Sequence, residues 1–138
     1  MWTGRFDPAE GVVWVTARVF GPLGDRYLNC ILDTGTPQTI LDTAILDSLG
    51  YSAQMGTRVV NLSGIGGRLP AYELPMARFE TMGLILSPFA VLSQDIVPAN
   101  LGVEGLIGMD LVIGRILTID GERGTISLGP SRSVPSPD

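Results

Sequence analysis

A chain of 138 residues, 45% of them hydrophobic, is long enough for one domain with a real core and too apolar for disorder. A net charge of −5 with no run of basic residues excludes a nucleic-acid surface. The lack of histidine and the single cysteine exclude Ser-His-Asp and Cys-His catalysis and nearly every zinc site built from those residues. Hydrolysis by this chain alone would rest on carboxylates, with no metal and no cofactor.

The first ten residues, MWTGRFDPAE, form an N-terminal segment without the apolar stretch of a secretory signal. No run of about twenty uninterrupted apolar residues occurs anywhere, so no membrane contact is expected within this segment. The compartment is left open: cytoplasmic by default, or that of a longer parent protein. Residues 11–129 are expected to form the domain. Eighteen glycines and ten prolines favour many short strands over long helices.

Residues 12–20, VVWVTARVF, alternate with Val13, Val15, Ala17 and Val19 on one face, which predicts a strand. The turn residues GPLGD lead to a second strand, RYLNCIL at 26–32, and the two make a hairpin. Cys30 alternates with Leu28 and Leu32 and is expected to be a buried core thiol. The run then breaks at Asp33-Thr34-Gly35 and resumes at 39–41 as a short strand.

Asp42 is a candidate N-cap for a two-turn helix that sets Leu41, Ile45, Leu46 and Leu49 on one face and stops at Gly50. Strands at 57–62 and 68–74 flank the glycine-rich SGIGG. MARFE and LILSPFAVL read as two more strands around the turn TMG. Residues 94–105 read as a loop, GLIGMDLVIG as an apolar entry with a single-turn helix, and RILTI and TISLG as a hairpin around DGERG. Residues 130–138, rich in Pro and Ser, are expected to be a disordered tail.

Asp-Thr-Gly alone is ordinary turn chemistry. Three features in order are more specific: Ile31 to Gly35 early, a hairpin tip of Ser63, Gly64, Ile65, Gly66 and Gly67 in the middle, and Leu106, Ile107 and Gly108 late. In these the chain resembles the retropepsin-like aspartic proteases, the retroviral-type proteases and their cellular and bacterial single-domain relatives. The resemblance covers residues 11–128 and is closest to the cellular and bacterial members in GLIGMDLV.

The resemblance implies an all-β fold, a half-pepsin closed β-barrel with one or two short helices, active as a homodimer. It implies an aspartic endopeptidase acting on peptide or protein substrates. Asp33 would supply the acid or base, and Thr34 a hydroxyl that bonds across the two-fold. Gly35 would give backbone room beside the carboxylates. Ser63–Gly67 would form a flap over the substrate, while Leu106, Ile107, Gly108 and Asp110 would support the catalytic loop.

The chain carries only one such triplet. Ile119-Asp120-Gly121 lacks the hydroxyl residue and reads as a hairpin turn. The second carboxylate is therefore expected from a second copy. Two carboxylates at close range cannot both ionise, so they share a proton, and one acts as base and the other as acid.

Two departures from the viral pattern stand out. Pro37 and Met109 occupy the positions where viral members carry an interface-bracing ion pair, so apolar contact is expected to brace this dimer. Asp110 is kept and is expected to cap the short helix. The chain also ends in its own hairpin, not in a lone strand that could interleave with a partner's. Two other readings stay open: a catalytically silent peptide-binding or dimerisation module on the same fold, and a plain structural β-barrel with a chance triplet.

Overall fold

The computed structural model describes residues 1–64, 67–96 and 102–130, with positions 63, 64, 67 and 68 described by backbone alone. Its strands are β1 (Trp2–Arg5), β2 (Trp14–Gly21), β3 (Gly24–Leu32), β4 (Ile40–Asp42), β5 (Arg58–Gly64), β6 (Gly67–Met76), β7 (Phe79–Thr81), β8 (Leu84–Leu86), β9 (Phe89–Gln94), β10 (Gly105–Ile107), β11 (Arg115–Asp120) and β12 (Thr125–Pro130). The helix α1 (Thr43–Ser48) follows β4, and short 3₁₀ turns complete the described chain.

Nine strands form one sheet in the order β5-β6-β9-β4-β10-β3-β2-β7-β8, and β1-β12-β11 form a second. The expected all-β architecture is present. The ladder of the larger sheet has two ends, β5 and β8, and no pairing among the described residues laces them together.

The β2–β3 hairpin is the framework. Alternation buries Val15, Ala17 and Val19 on one face, and the register sets Val15 opposite Cys30 and Ala17 opposite Leu28, both fully buried. Each large aliphatic side chain removed from water here contributes roughly 1.5–3 kcal/mol. Burial pushes the Cys30 thiol up to about 12, so it packs as an inert apolar group, as the alternation predicted.

Leu41, Ile45, Leu46 and Leu49 are all buried, so the short helix seats the predicted face on the core. Asp42 does not cap it. Asp42 ends β4, paired with Gln94 of β9, and its Oδ1 accepts from the Ile96 N–H at 3.0 Å, just beyond that strand. A backbone donor just past the neighbouring strand has won the carboxylate that the helix was expected to hold.

Two further differences have local causes. LILSPFAVL is not one strand but two, β8 and β9, because Pro88 has no N–H to give a ladder. Residues 2–5 carry no alternating apolar signal, yet they form β1, with Trp2 opposite Leu128 and packed against the core. Only the presence of β12 makes that segment a strand. Among the described residues no helix is long and apolar enough to cross a membrane. The tail expected at 131–138 lies outside the described residues.

Candidate active site

The site is built where β3 ends. β10 lies parallel to β3, with Ile107 opposite Leu32, and antiparallel to β4, so the early and late motifs are neighbours in one sheet. The Asp33 N–H donates to Ile107 O at 2.8 Å, which fixes the point where the chain leaves the sheet. Asp33 is half-buried at the start of a turn in which Thr36 N–H bonds back to Asp33 O at 3.1 Å.

The Asp33 carboxylate is held on both oxygens. Oδ1 accepts from the Gly35 N–H at 2.9 Å and Oδ2 from the Thr36 hydroxyl at 2.8 Å. A Cβ on Gly35 would sit 3.2 Å from Oδ1, inside ordinary contact distance, so the missing side chain keeps that face of the carboxylate clear. Thr34 is exposed on the same turn. The Thr36 contact was not read from the sequence, although a hydroxyl three residues after an Asp is the spacing at which such turns close on a side chain.

The late motif divides its work. Ile107 is fully buried in the main core, while Leu106, pointing the other way, joins a second apolar cluster. That cluster comprises Ile40, Ala71 and Leu92 with Val60, Leu62, Ile96 and Leu106, and so spans the β5–β6 hairpin, β4, β9 and β10. Gly108 has an extended backbone, so φ does not demand glycine there. Space does: a Cβ would lie 2.6 Å from Thr36 O and 2.9 Å from Gln38 C.

Asp110 does not cap the 3₁₀ turn Met109–Leu111, which has Gly108 in the capping position. Its carboxylate turns to the Asp33 loop instead, accepting from Thr39 N–H at 2.9 Å and from the Thr39 hydroxyl at 2.8 Å. The Thr39 oxygen in turn accepts from Gly108 N–H at 3.2 Å. Met109 and Asp110 N–H groups donate to Thr36 O and Pro37 O at 2.7 and 3.1 Å. Burial pushes the Asp110 carboxyl up, against the hydrogen bonds from Thr39.

The β5–β6 hairpin is tied to the same loop. Gln38 Nε2 donates to Glu73 Oε2 at 3.0 Å, and Arg58, opposite Glu73 across the hairpin, donates to the same oxygen at 2.9 Å. The Arg58 and Gln38 hydrogen bonds hold the Glu73 carboxyl at about 2, well below its usual value. Neither Gln38 nor Glu73 carries a motif signal, so neither was found from sequence. Gly64 and Gly67 pair at the hairpin end, while Ile65 and Gly66 of the expected flap lie outside the described residues, as do the side chains of Ser63 and its neighbours.

Asp120, the counterfeit motif, accepts from Glu122 and Arg123 N–H at 3.0 and 2.9 Å and serves as the hairpin turn it was read to be. Clefts of about 430 and 400 Å³ flank the β7–β8 turn, and neither is lined by the Asp33 loop. No group of three or more Asp, Glu, Cys or His side chains among the described residues could hold a metal ion.

The Asp33 carboxylate is thus half-buried, oriented by its own turn, and carried on a loop interlocked with the late glycine motif. The model of the aspartyl protease family matches residues 15–111, and the chain belongs to that family. The fold is similar to the crystal structure of a retropepsin-like aspartic protease from Rickettsia conorii, at TM-score 0.65 and 14% identity over 91% of this chain and 95% of that one. The fold is thus retropepsin-like. No curated protein matches the chain.

Proposed function

We propose that the protein is an endopeptidase that cleaves extended peptide segments with a water held between two Asp33 carboxylates, one from each subunit of a homodimer. The observation that carries this reading is the Asp33 turn itself: one carboxylate, oriented on both oxygens and half-open, in a sequence with a single Asp-Thr-Gly triplet. A symmetric partner supplies the second.

In the paired site the carboxylates share one proton. The ionised member takes a proton from the water as it attacks the scissile carbonyl, and the protonated member gives its proton to that oxygen. On collapse the newly protonated carboxyl gives its proton to the departing amine while the other carboxylate takes a hydroxyl proton from the intermediate as the new carbonyl forms, which restores the shared-proton state. Gly35 N–H and the Thr36 hydroxyl steady the negative oxygens, and exposed Thr34 reaches the partner's loop.

The apolar cluster around Ile40, Leu62 and Leu106 supports a preference for aliphatic side chains. The Ser63–Gly67 segment closes over the substrate and excludes water.

Purified protein is incubated with casein, and with any longer precursor, between about pH 4 and 7, alongside Asp33→Asn. Cleavage by the wild type alone, falling past neutrality, is the expected result. Peptide binding by both forms without cleavage by either replaces this reading with that of a silent binding module. Cleavage by Asp33→Asn rules out the carboxylate mechanism.

A further inference from the structure

Away from the Asp33 loop, the cleft of about 430 Å³ beside the β7–β8 turn is lined from both sheets, by Trp2 and Leu128 on one side and by Met82 and Leu84 on the other. β11 enters the same space. Leu117 lies opposite Leu128, and Leu128 opposite Trp2, so these three share the face turned to the core. Arg115 stands two positions before Leu117 and falls on that face too. The alternation of a strand thus delivers a guanidinium to an apolar cleft, and Arg115 lines it.

Arg115 is not spent on an internal carboxylate. Its Nη1 donates to Leu111 O at 3.2 Å, and among the described residues its side chain makes no ion pair. One donor of the fork is occupied, which fixes the guanidinium and leaves the others for an acceptor. Among the described residues no acidic side chain lines the cleft, so an anion there meets no like charge at close range.

The facing wall is held under strain. Met82 has φ 48°, the one positive value at a non-glycine among the described residues, yet it is only 4% exposed. A left-handed backbone at such a residue costs about 1–2 kcal/mol. Burial of the Met82 side chain offsets that cost and keeps the turn against the core.

We propose that this cleft binds a free medium-chain aliphatic carboxylate, with its chain along Trp2, Met82 and Leu84 and its head on Arg115. The site is separate from the Asp33 loop and does not depend on the peptidase reading. Ligand pockets span roughly 300–1,000 Å³, so a cleft of about 430 Å³ suits a short apolar chain better than a large ring system. The planar fork of one guanidinium matches one carboxylate, whereas a doubly charged phosphate would call for a second cation. Met1 and Met82 supply unbranched side chains that adapt to a flexible chain.

The test is calorimetry of the full chain with decanoate below its micellar range. Saturable binding of one decanoate per protomer is expected. Acetate has the head without the chain, and decylammonium reverses the charge; each should bind at least about tenfold more weakly. Arg115→Gln keeps a donor for Leu111 O and removes the charge, and it should also lose at least about tenfold. In Trp14→Phe protein Trp2 is the sole tryptophan, and its emission should shift as decanoate saturates. Asp33→Asn should bind decanoate as tightly as wild type, whether or not the wild type cleaves peptides.

No saturable binding overturns the assignment, as does equal affinity for acetate or decylammonium, or an Arg115→Gln protein that binds as well as wild type. Unchanged Trp2 emission, or binding lost in Asp33→Asn, would place the ligand elsewhere and overturn it too. Affinity that falls as protein concentration rises would show that a second copy, not a carboxylate, covers the cleft.

Discussion

Thr39 and Asp110, 71 positions apart, are joined by two hydrogen bonds that lock the late motif onto the loop leaving Asp33. Thr39 is fully buried, so the Asp110 carboxylate is the acceptor that satisfies its N–H. Asp110→Ala strands a buried N–H and should cost about 1–3 kcal/mol in urea unfolding. Asp110→Asn keeps one acceptor and should cost less. Burial holds the Asp110 carboxyl above its usual 3.8, so its ionisation opposes folding: that stabilisation is full below 3.8 and is lost as pH rises through the raised value. The deficit of Asp110→Asn relative to wild type should therefore shrink over that rise. A deficit that grows with pH would contradict this assignment.

Gly108 tests the same lock by steric means. Its backbone conformation is open to any residue, so only the 2.6 Å approach of a new Cβ to Thr36 O penalises substitution. Because backbone atoms on both sides must shift, Gly108→Ala should destabilise by about 3 kcal/mol. Calorimetry checks it, and a change below about 0.5 kcal/mol would show that the loop yields freely.

Thr36 offers a graded test of the carboxylate. Thr36→Val keeps the shape and removes the 2.8 Å hydrogen bond to Asp33 Oδ2. A hydrogen bond to an ionised group is worth about 1.5–3 kcal/mol, so kcat/KM should fall roughly 10- to 100-fold. Thr36→Ser should restore activity. Unchanged kcat/KM in Thr36→Val would mean that the hydroxyl does not steady the carboxylate.

Glu73 sets the acid limit of the hairpin tether. Its carboxyl sits at about 2 against a usual 4.5, so the stabilisation it provides is complete above 4.5 and drains away as pH falls towards 2. Glu73→Gln removes that dependence and should flatten stability against pH in this window. In hydrogen exchange at pH 6, the β5–β6 hairpin of the variant should exchange faster than wild type, with β2 and β3 unchanged. Equal exchange in the hairpin would show that Gln38 and Glu73 do not hold it.

The framework was legible because its signals are local. Alternation over 12–20, the Leu28-Cys30-Leu32 row and the apolar face around Ile45 each follow from the period of a strand or a helix, and burial respects all three. Asp33 was legible from the order of motifs. Asp42 and Asp110 were each read as helix caps because a carboxylate before a short apolar run has that signature. Both went elsewhere, to Ile96 N–H just past β9 and to buried Thr39 just before β4, since a short helix or turn competes with backbone donors that other segments bring close.

By itself the sequence determined an all-β chain whose one distinctive acid interrupts a buried run, because side-chain period and residue type act over a few positions. Only the tertiary structure decided that β10 lies beside β3, that Leu106 and Ile107 part to different clusters, that Trp2–Arg5 becomes a strand, and that Glu73 meets Gln38. Those contacts join segments far apart in the chain. Each exists because a buried donor or an apolar row must find a partner, and which partner is at hand depends on how the whole chain packs.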